Sequence, residues 1–207
     1  MQIISLSAGL GQASLGSSRV LREGGVILYP TDTLYGLGAD ALSNEAVDRV
    51  YAIKGREEGR PIHAVFADMA MVEEFADVND CARRLAAKFL PGALTLVMKK
   101  KPHVTTGIAR GIETIGVRIP DHEFCLDLAR TFGKPYTATS ANKSGSPVLT
   151  AIPDILSQLG STAELIDLAV DAAVFPMRQP TTVVNVVSGS PVILREGAIP
   201  KADILNA

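Results

Sequence analysis

No tryptophan occurs in these 207 residues, and four tyrosines with six phenylalanines are the only large rings. So few aromatic faces leave little on which to stack bases, which argues against a single-stranded nucleic-acid platform. Cysteine is scarcer still. Cys81 and Cys125 are far apart and fit no metal-ligand spacing, so a disulfide framework and a zinc site are both excluded, and reduced core thiols in the cytoplasm are expected. No apolar run approaches the roughly 18 residues of a membrane span, and the N-terminus lacks the charged start and long apolar core of a signal peptide. No membrane association is expected. Neither sign of charge dominates: 20 basic against 22 acidic side chains leave −2, which predicts no broad polyanion-binding face. Missing too are a Walker-type glycine loop, a Gly-x-Gly-x-x-Gly helix opening, and any Ser-His-Asp or Cys-His constellation.

What is present reads as an ordinary folded chain. Hydrophobic residues make up 47% and charged residues 20%, a balance that excludes disorder and suffices for one sizeable core. One domain over 1–207 is expected, with its core at about 12–200. Apolar patterns and turn signals alternate in the α/β manner. They predict strands over 3–6, 25–29, 61–66, 93–98, 115–119 and 136–139, and a hairpin of 183–187 with 191–194. Helices are predicted over 13–23, over 45–53 capped by Asn44, from Asn79 through Phe89, over 123–132 closed by Gly133, and over 151–159 stopped by Gly160. The expected architecture is a single twisted mixed sheet with helices packed on it.

One stretch gathers most of the chemistry. The strand ending at Tyr29 is stopped by Pro30, and Thr31-Asp-Thr-Leu-Tyr-Gly-Leu-Gly38 follows. Gly36 and Gly38 open backbone conformations closed to other residues and admit a ligand close to the main chain. The next helix carries Val47, Val50 and Ile53 on one face and delivers Lys54 and Arg56 at its far end. Hydroxyls and two cations thus meet within about thirty residues, an arrangement suited to a small anion. An ordinary loop, and cations that merely complement a helix dipole, explain the same residues. Further on, Thr114 and Arg118 are four apart on a predicted strand, so a hydroxyl and a guanidinium point the same way.

Six stretches in one order narrow the choice: Pro30–Gly38 with Lys54-Gly-Arg56, Pro91-Gly-Ala-Leu-Thr95, Gly116-Val-Arg-Ile-Pro120, Ser140-Ala-Asn-Lys-Ser-Gly145, Thr181-Thr-Val-Val-Asn185 and Ile193-Leu-Arg-Glu-Gly197. The series resembles the YrdC-like family of L-threonylcarbamoyladenylate synthases along nearly the whole chain. The resemblance implies that ATP, L-threonine and bicarbonate become threonylcarbamoyl-AMP and pyrophosphate, for modification of a tRNA adenosine next to the anticodon. It implies ATP contacts from Lys54, Arg56, Arg60, Thr114, Ser140, Asn142 and Arg195, with Lys54 and Arg56 also catalytic. It implies threonine contacts from Thr33, Arg118, Ala138 and Thr181, with Arg118 on the carboxylate and Tyr35 walling the pocket. Mg2+ is expected with ATP, held mostly by phosphates and water, with Asp32 as an outer-shell contributor. tRNA and downstream threonylcarbamoyl-transfer proteins are the further partners implied.

The chain departs from the family pattern in places. Glu57-Glu-Gly-Arg60-Pro-Ile stands where Pro-x-x-Asn-Pro-Leu is usual, so Arg60 replaces an amide with a cation. Val65 occupies the place of a common histidine, while His63, two residues earlier, faces the same side of its strand. Val148 replaces a serine, leaving only backbone for contact there, and no extra C-terminal domain is expected. A different class, an RNA-binding relative with weak or altered nucleotide chemistry, would use Arg83, Arg84, Lys88, Lys99–Lys101, His103 and Arg110 as a basic surface.

Overall fold

The protein is described by a computed structural model covering residues 1–56, 61–172 and 178–207. Chain order begins β1 (Gln2–Ser5), α1 (Leu10–Arg22), β2 (Ile27–Tyr29), β3 (Gly36–Gly38) and α2 (Asn44–Lys54). It continues β4 (His63–Val65), α3 (Met69–Phe75), β5 (Ala76–Asp77), α4 (Asp80–Phe89), β6 (Leu94–Lys100) and β7 (Thr114–Arg118). Then come α5 (Glu123–Phe132), β8 (Tyr136–Ser140), α6 (Ile152–Leu159), β9 (Leu168–Asp171), β10 (Thr182–Asn185), β11 (Val192–Arg195) and α7 (Lys201–Leu205). All these strands join one mixed sheet in the order β1-β9-β2-β3-β8-β4-β7-β6-β10-β11, with β5 on β6.

Period-two alternation assigns the two faces of this sheet. Leu28, Leu37, Ala64, Leu96, Val117 and Val184 point to one side and pack with Val47, Val50 and Ile53 of α2, Leu85 of α4 and Ile155 of α6. Ile27, Tyr29, Val65 and Tyr136 point to the other side, beneath Ala13 and Leu21 of α1 and Phe124, Cys125 and Leu128 of α5. Burying each large apolar side chain in these layers contributes about 1.5–3 kcal/mol. The second face is only half covered. Past α1 and α5, the strands β4, β7, β6 and β10 expose theirs, and a cleft lies there.

Local chemistry explains most element ends. Asn79 accepts from Ala82 N at 2.9 Å to start α4, and Gly133 closes α5 at φ 76°. Some expected ends shift: α1 begins at Leu10 rather than residue 13, and the cap of α2 is Ser43, whose Oγ accepts from Ala46 N at 3.2 Å. Asn44 instead accepts from Gly107 N at 2.7 Å, tying a distant loop to the start of α2. Gly36 and Gly38 have no positive φ; they lie in β3, where a Cβ would press on the Tyr29 ring and Ile27. Their smallness makes room for Tyr29, whose hydroxyl donates to Thr137 O at 3.0 Å. β3, β5, β9, α3 and α7 had no sequence expectation.

The loop that docks on α2 turns at Gly107, with φ 59°. A Cβ there would fall 2.0 Å from Ala41 O, which also accepts from Ile108 N at 2.9 Å. Both the left-handed conformation and the backbone contact oppose a side chain. Gly107→Ala is expected to cost about 3 kcal/mol or more, read as a lower urea midpoint at unchanged slope.

Candidate active site

The cleft has a volume of about 620 Å3, and its floor is a continuous row across the sheet. Ala138 of β8 registers with His63 of β4, His63 with Gly116 of β7, Gly116 with Val97 of β6, and Val97 with Asn185 of β10. Thr114 and Arg118 flank Gly116 on β7 and line the cleft with it, as their spacing predicts. Only glycine fits between them, since a Cβ at residue 116 would sit 2.3 Å from His63 Cδ2. The imidazole lies over the bare backbone.

One wall is the loop after β2. Thr31 organises it: its Oγ1 accepts from Thr33 N at 3.0 Å and Leu34 N at 3.1 Å, and donates to Leu34 O at 2.7 Å. Thr33 Oγ1, 3.1 Å from Thr31 Oγ1, is thereby aimed at the cleft. Next to it, Asp32 Oδ1 accepts from Arg118 Nη2 at 2.6 Å, both side chains being under 10% exposed. Asp32 Oδ2 accepts from Asp121 N at 3.2 Å, and Asp32 O from Arg178 Nη1 at 2.8 Å. Arg118 Nε is buried and has no partner among the described residues. Asp32 is therefore an anchor for Arg118.

The opposite wall comes from the end of α2 and the segment after β8. Lys54, 3% exposed, donates through Nζ to Ser140 O, to Asn142 O at 2.9 Å and to Asn142 Oδ1 at 3.3 Å. Ser140 Oγ donates to the same Oδ1 at 2.6 Å, and Asn142 Nδ2 donates to Ser146 O at 2.6 Å. The ammonium thus clasps the Ser-Ala-Asn segment to α2. Burial, and then the nearby Arg56 charge, pull the Lys54 pKa down to about 8. Arg56 lines the cleft beside it and donates from Nη2 to Pro61 O at 3.3 Å. Ser140, one residue beyond the strand expected over 136–139, is the last residue of β8.

Closing the far side, Arg195 Nη2 donates to Thr181 O at 2.9 Å and to Thr181 Oγ1 at 3.1 Å. Thr181 Oγ1 is 2.8 Å from the buried Thr95 Oγ1. Arg195 ends β11, one residue past the expected hairpin arm, while Thr181 lies one residue before β10.

Of the residues singled out from sequence, Thr33, Lys54, Arg56, Thr114, Arg118, Ala138, Ser140, Asn142, Thr181 and Arg195 all line this cleft, and so do Tyr35 and His63. Arg60 lies outside the described residues. Val148 does not line the cleft. Thr31, Gly116 and Asn185 were missed, although Gly116 falls between Thr114 and Arg118 on the same alternation. No Asp or Glu is among the described lining residues, and no cluster of metal-binding type occurs among the described residues. Three cations of the expected basic surface are paired with carboxylates: Lys101 with Asp77 at 2.9 Å, Arg83 with Glu73 at 2.6 Å and Arg110 with Asp48 at 2.6 Å.

A profile of the Sua5/YciO/YrdC family, described as telomere recombination, matches residues 19–197. A Methanocaldococcus jannaschii relative is 36% identical over 178 residues, which is 86% of this chain and 82% of its own. The threonylcarbamoyl-AMP synthase of Bacillus subtilis is 36% identical over 190 residues, 91% of this chain and 54% of its own. Among solved structures, Pyrococcus abyssi Sua5 complexed with L-threonine matches with a TM-score of 0.88 and 32% identity, covering 99% of this chain and 59% of that one. This chain thus spans little more than half the length of the last two.

Proposed function

Because the chain belongs to the Sua5/YciO/YrdC family, we propose that it is an enzyme making threonylcarbamoyl-AMP and pyrophosphate from ATP, L-threonine and bicarbonate. The observation that carries this reading is one cleft with Arg118 at one end, Lys54 and Arg56 at the other, and no cysteine or carboxylate among its described lining residues. At one end Arg118 takes the threonine carboxylate, and Thr33, Ala138 and Thr181 contact the rest of the amino acid. At the other, Lys54, Arg56, Ser140 and Asn142 cradle the triphosphate, with Thr114 and Arg195 toward the nucleoside. Catalysis then comes from positioning and from stabilising negative charge at phosphorus.

Mg2+ enters with ATP as part of the substrate. The lining offers hydroxyls, amides and cations rather than carboxylates, which suits a metal held by phosphates and water. The product's activated group passes through transfer proteins to a tRNA adenosine next to the anticodon. Both cysteines are free and buried, and no helix among the described residues is long and apolar enough to cross a membrane, which supports a cytoplasmic setting.

Ordinary amino-acid activation would use the same ATP and threonine but would attack phosphorus with the carboxylate. A carboxylate held by Arg118 is positioned and less nucleophilic, leaving a carbamate on the amine end to attack. Pyrophosphate release is therefore expected to require both threonine and bicarbonate. The check is release in buffer stripped of CO2, then after bicarbonate is restored; undiminished release without it would sink the reading.

A further inference from the structure

Carboxylating an amine releases a proton, and the cleft holds few groups able to take one. No carboxylate is among its described lining residues. Lys54 has its ammonium protons directed at Ser140 O, Asn142 O and Asn142 Oδ1. The hydroxyl of Tyr29 donates to Thr137 O, and burial raises the pKa of both lining tyrosines. What remains is His63, the sole imidazole among the described lining residues. It sits mid-floor, between Ala138 and Gly116, whose small size leaves the ring its place. The residue is half-buried and lines the cleft.

We propose that His63 receives the proton released when the substrate amine is carboxylated. This rests on the reaction assigned above. The amine lone pair attacks the carbon of CO2, the dehydrated form of bicarbonate, and one C=O bond pair moves onto oxygen. The N–H proton passes to the imidazole, leaving a carbamate whose oxygen then displaces pyrophosphate from the α-phosphorus. The surroundings support the role. Burial, followed by the charges of Arg195, Arg118 and Arg56, lowers the His63 pKa to about 3, so the ring awaits substrate unprotonated. A triphosphate and a carboxylate seated on those guanidiniums offset their repulsion, so the ring gains basicity as both substrates bind.

The test compares His63→Ala and His63→Gln with the wild type in both directions of the reaction. Forward turnover at saturating ATP and threonine is expected to fall about 100-fold in both variants, with free imidazole restoring part of it in the alanine variant only. The reverse reaction, in which pyrophosphate converts threonylcarbamoyl-AMP to ATP, moves no proton at nitrogen. It is expected to stay close to the wild-type rate, which also shows that the variants are folded. Unchanged forward turnover, forward and reverse rates falling together, or a change confined to the Michaelis constant for threonine would each overturn the proton role. A wild-type protein that makes no ATP from threonylcarbamoyl-AMP and pyrophosphate would instead remove the assigned reaction itself.

Discussion

Replacing Arg118 with methionine is expected to damage stability and threonine use together, and a second substitution separates the two. Arg118 is joined to Asp32 at 2.6 Å, with side-chain exposures of 8% and 5%. Removing one partner of such a pair strands the other charge out of water, at a cost of about 3–5 kcal/mol. Among the described residues, Asp32 keeps only the Asp121 amide, at 3.2 Å, as a donor to its carboxylate. Changing Asp32 to asparagine in the same chain removes the stranded charge, so the Asp32→Asn, Arg118→Met double variant is expected to regain most of the urea midpoint. Threonine use does not return. A charge-assisted contact to its carboxylate contributes roughly 1.5–3 kcal/mol, or about one to two orders of magnitude in affinity. The Michaelis constant for threonine should therefore rise in both variants while that for ATP changes little. Recovery of threonine affinity in the double variant would show that Arg118 holds the fold alone.

Lys54→Met is expected to have the largest effect on ATP-dependent turnover, about 100-fold or more in kcat/KM from a lost charged contact and a displaced segment. Methionine keeps the apolar stem but removes the ammonium that donates to Ser140 O and Asn142 O, so the clasp between α2 and the segment after β8 opens. The same ammonium predicts the alkaline limb of the wild-type pH profile. With its pKa lowered to about 8, chiefly by burial, the free enzyme loses this charge as pH rises through that value, and kcat/KM for ATP should fall. Unfolding through this group is not the cause. Between about 8 and the ordinary 10.5 the unfolded chain binds a proton that the folded chain has shed, so this group adds stability as pH rises there. A profile flat beyond pH 9, or the same limb in Lys54→Met, would detach the charge of Lys54 from turnover.

Where structure depends on near neighbours, the sequence is a good guide. Asn79, Gly133 and the apolar spacing between them and their helices place α4 and α5 with the expected ends, because caps and amphipathic periods are set within a turn or two. The alternation Thr114, Gly116, Arg118 likewise sends these three to one face whatever the rest of the chain does. Shorter elements escape this reading. Strand β9, only Leu168–Asp171, is too brief an apolar run to tell from a buried loop or helix, although it lies between β1 and β2. Helix α3 carried a readable signal in Asp68, which accepts from Met71 N at 2.8 Å.

The candidate site divides along the same line. Which residue types would gather was legible from Lys54-Gly-Arg56, Ser140-Ala-Asn142 and Arg118, since the chemistry of an anion site selects hydroxyls, amides and cations. What each does to the others was not. Asp32 finds Arg118 across 86 residues of chain and Lys54 finds Asn142 across 88, and no local pattern specifies either pair. Only the strand order that sets β8, β4 and β7 side by side, with α1 and α5 covering half a face, decides that these groups meet in one cleft. Local propensities act over a few bonds, whereas burial and pairing depend on which distant surfaces the closed sheet presses together.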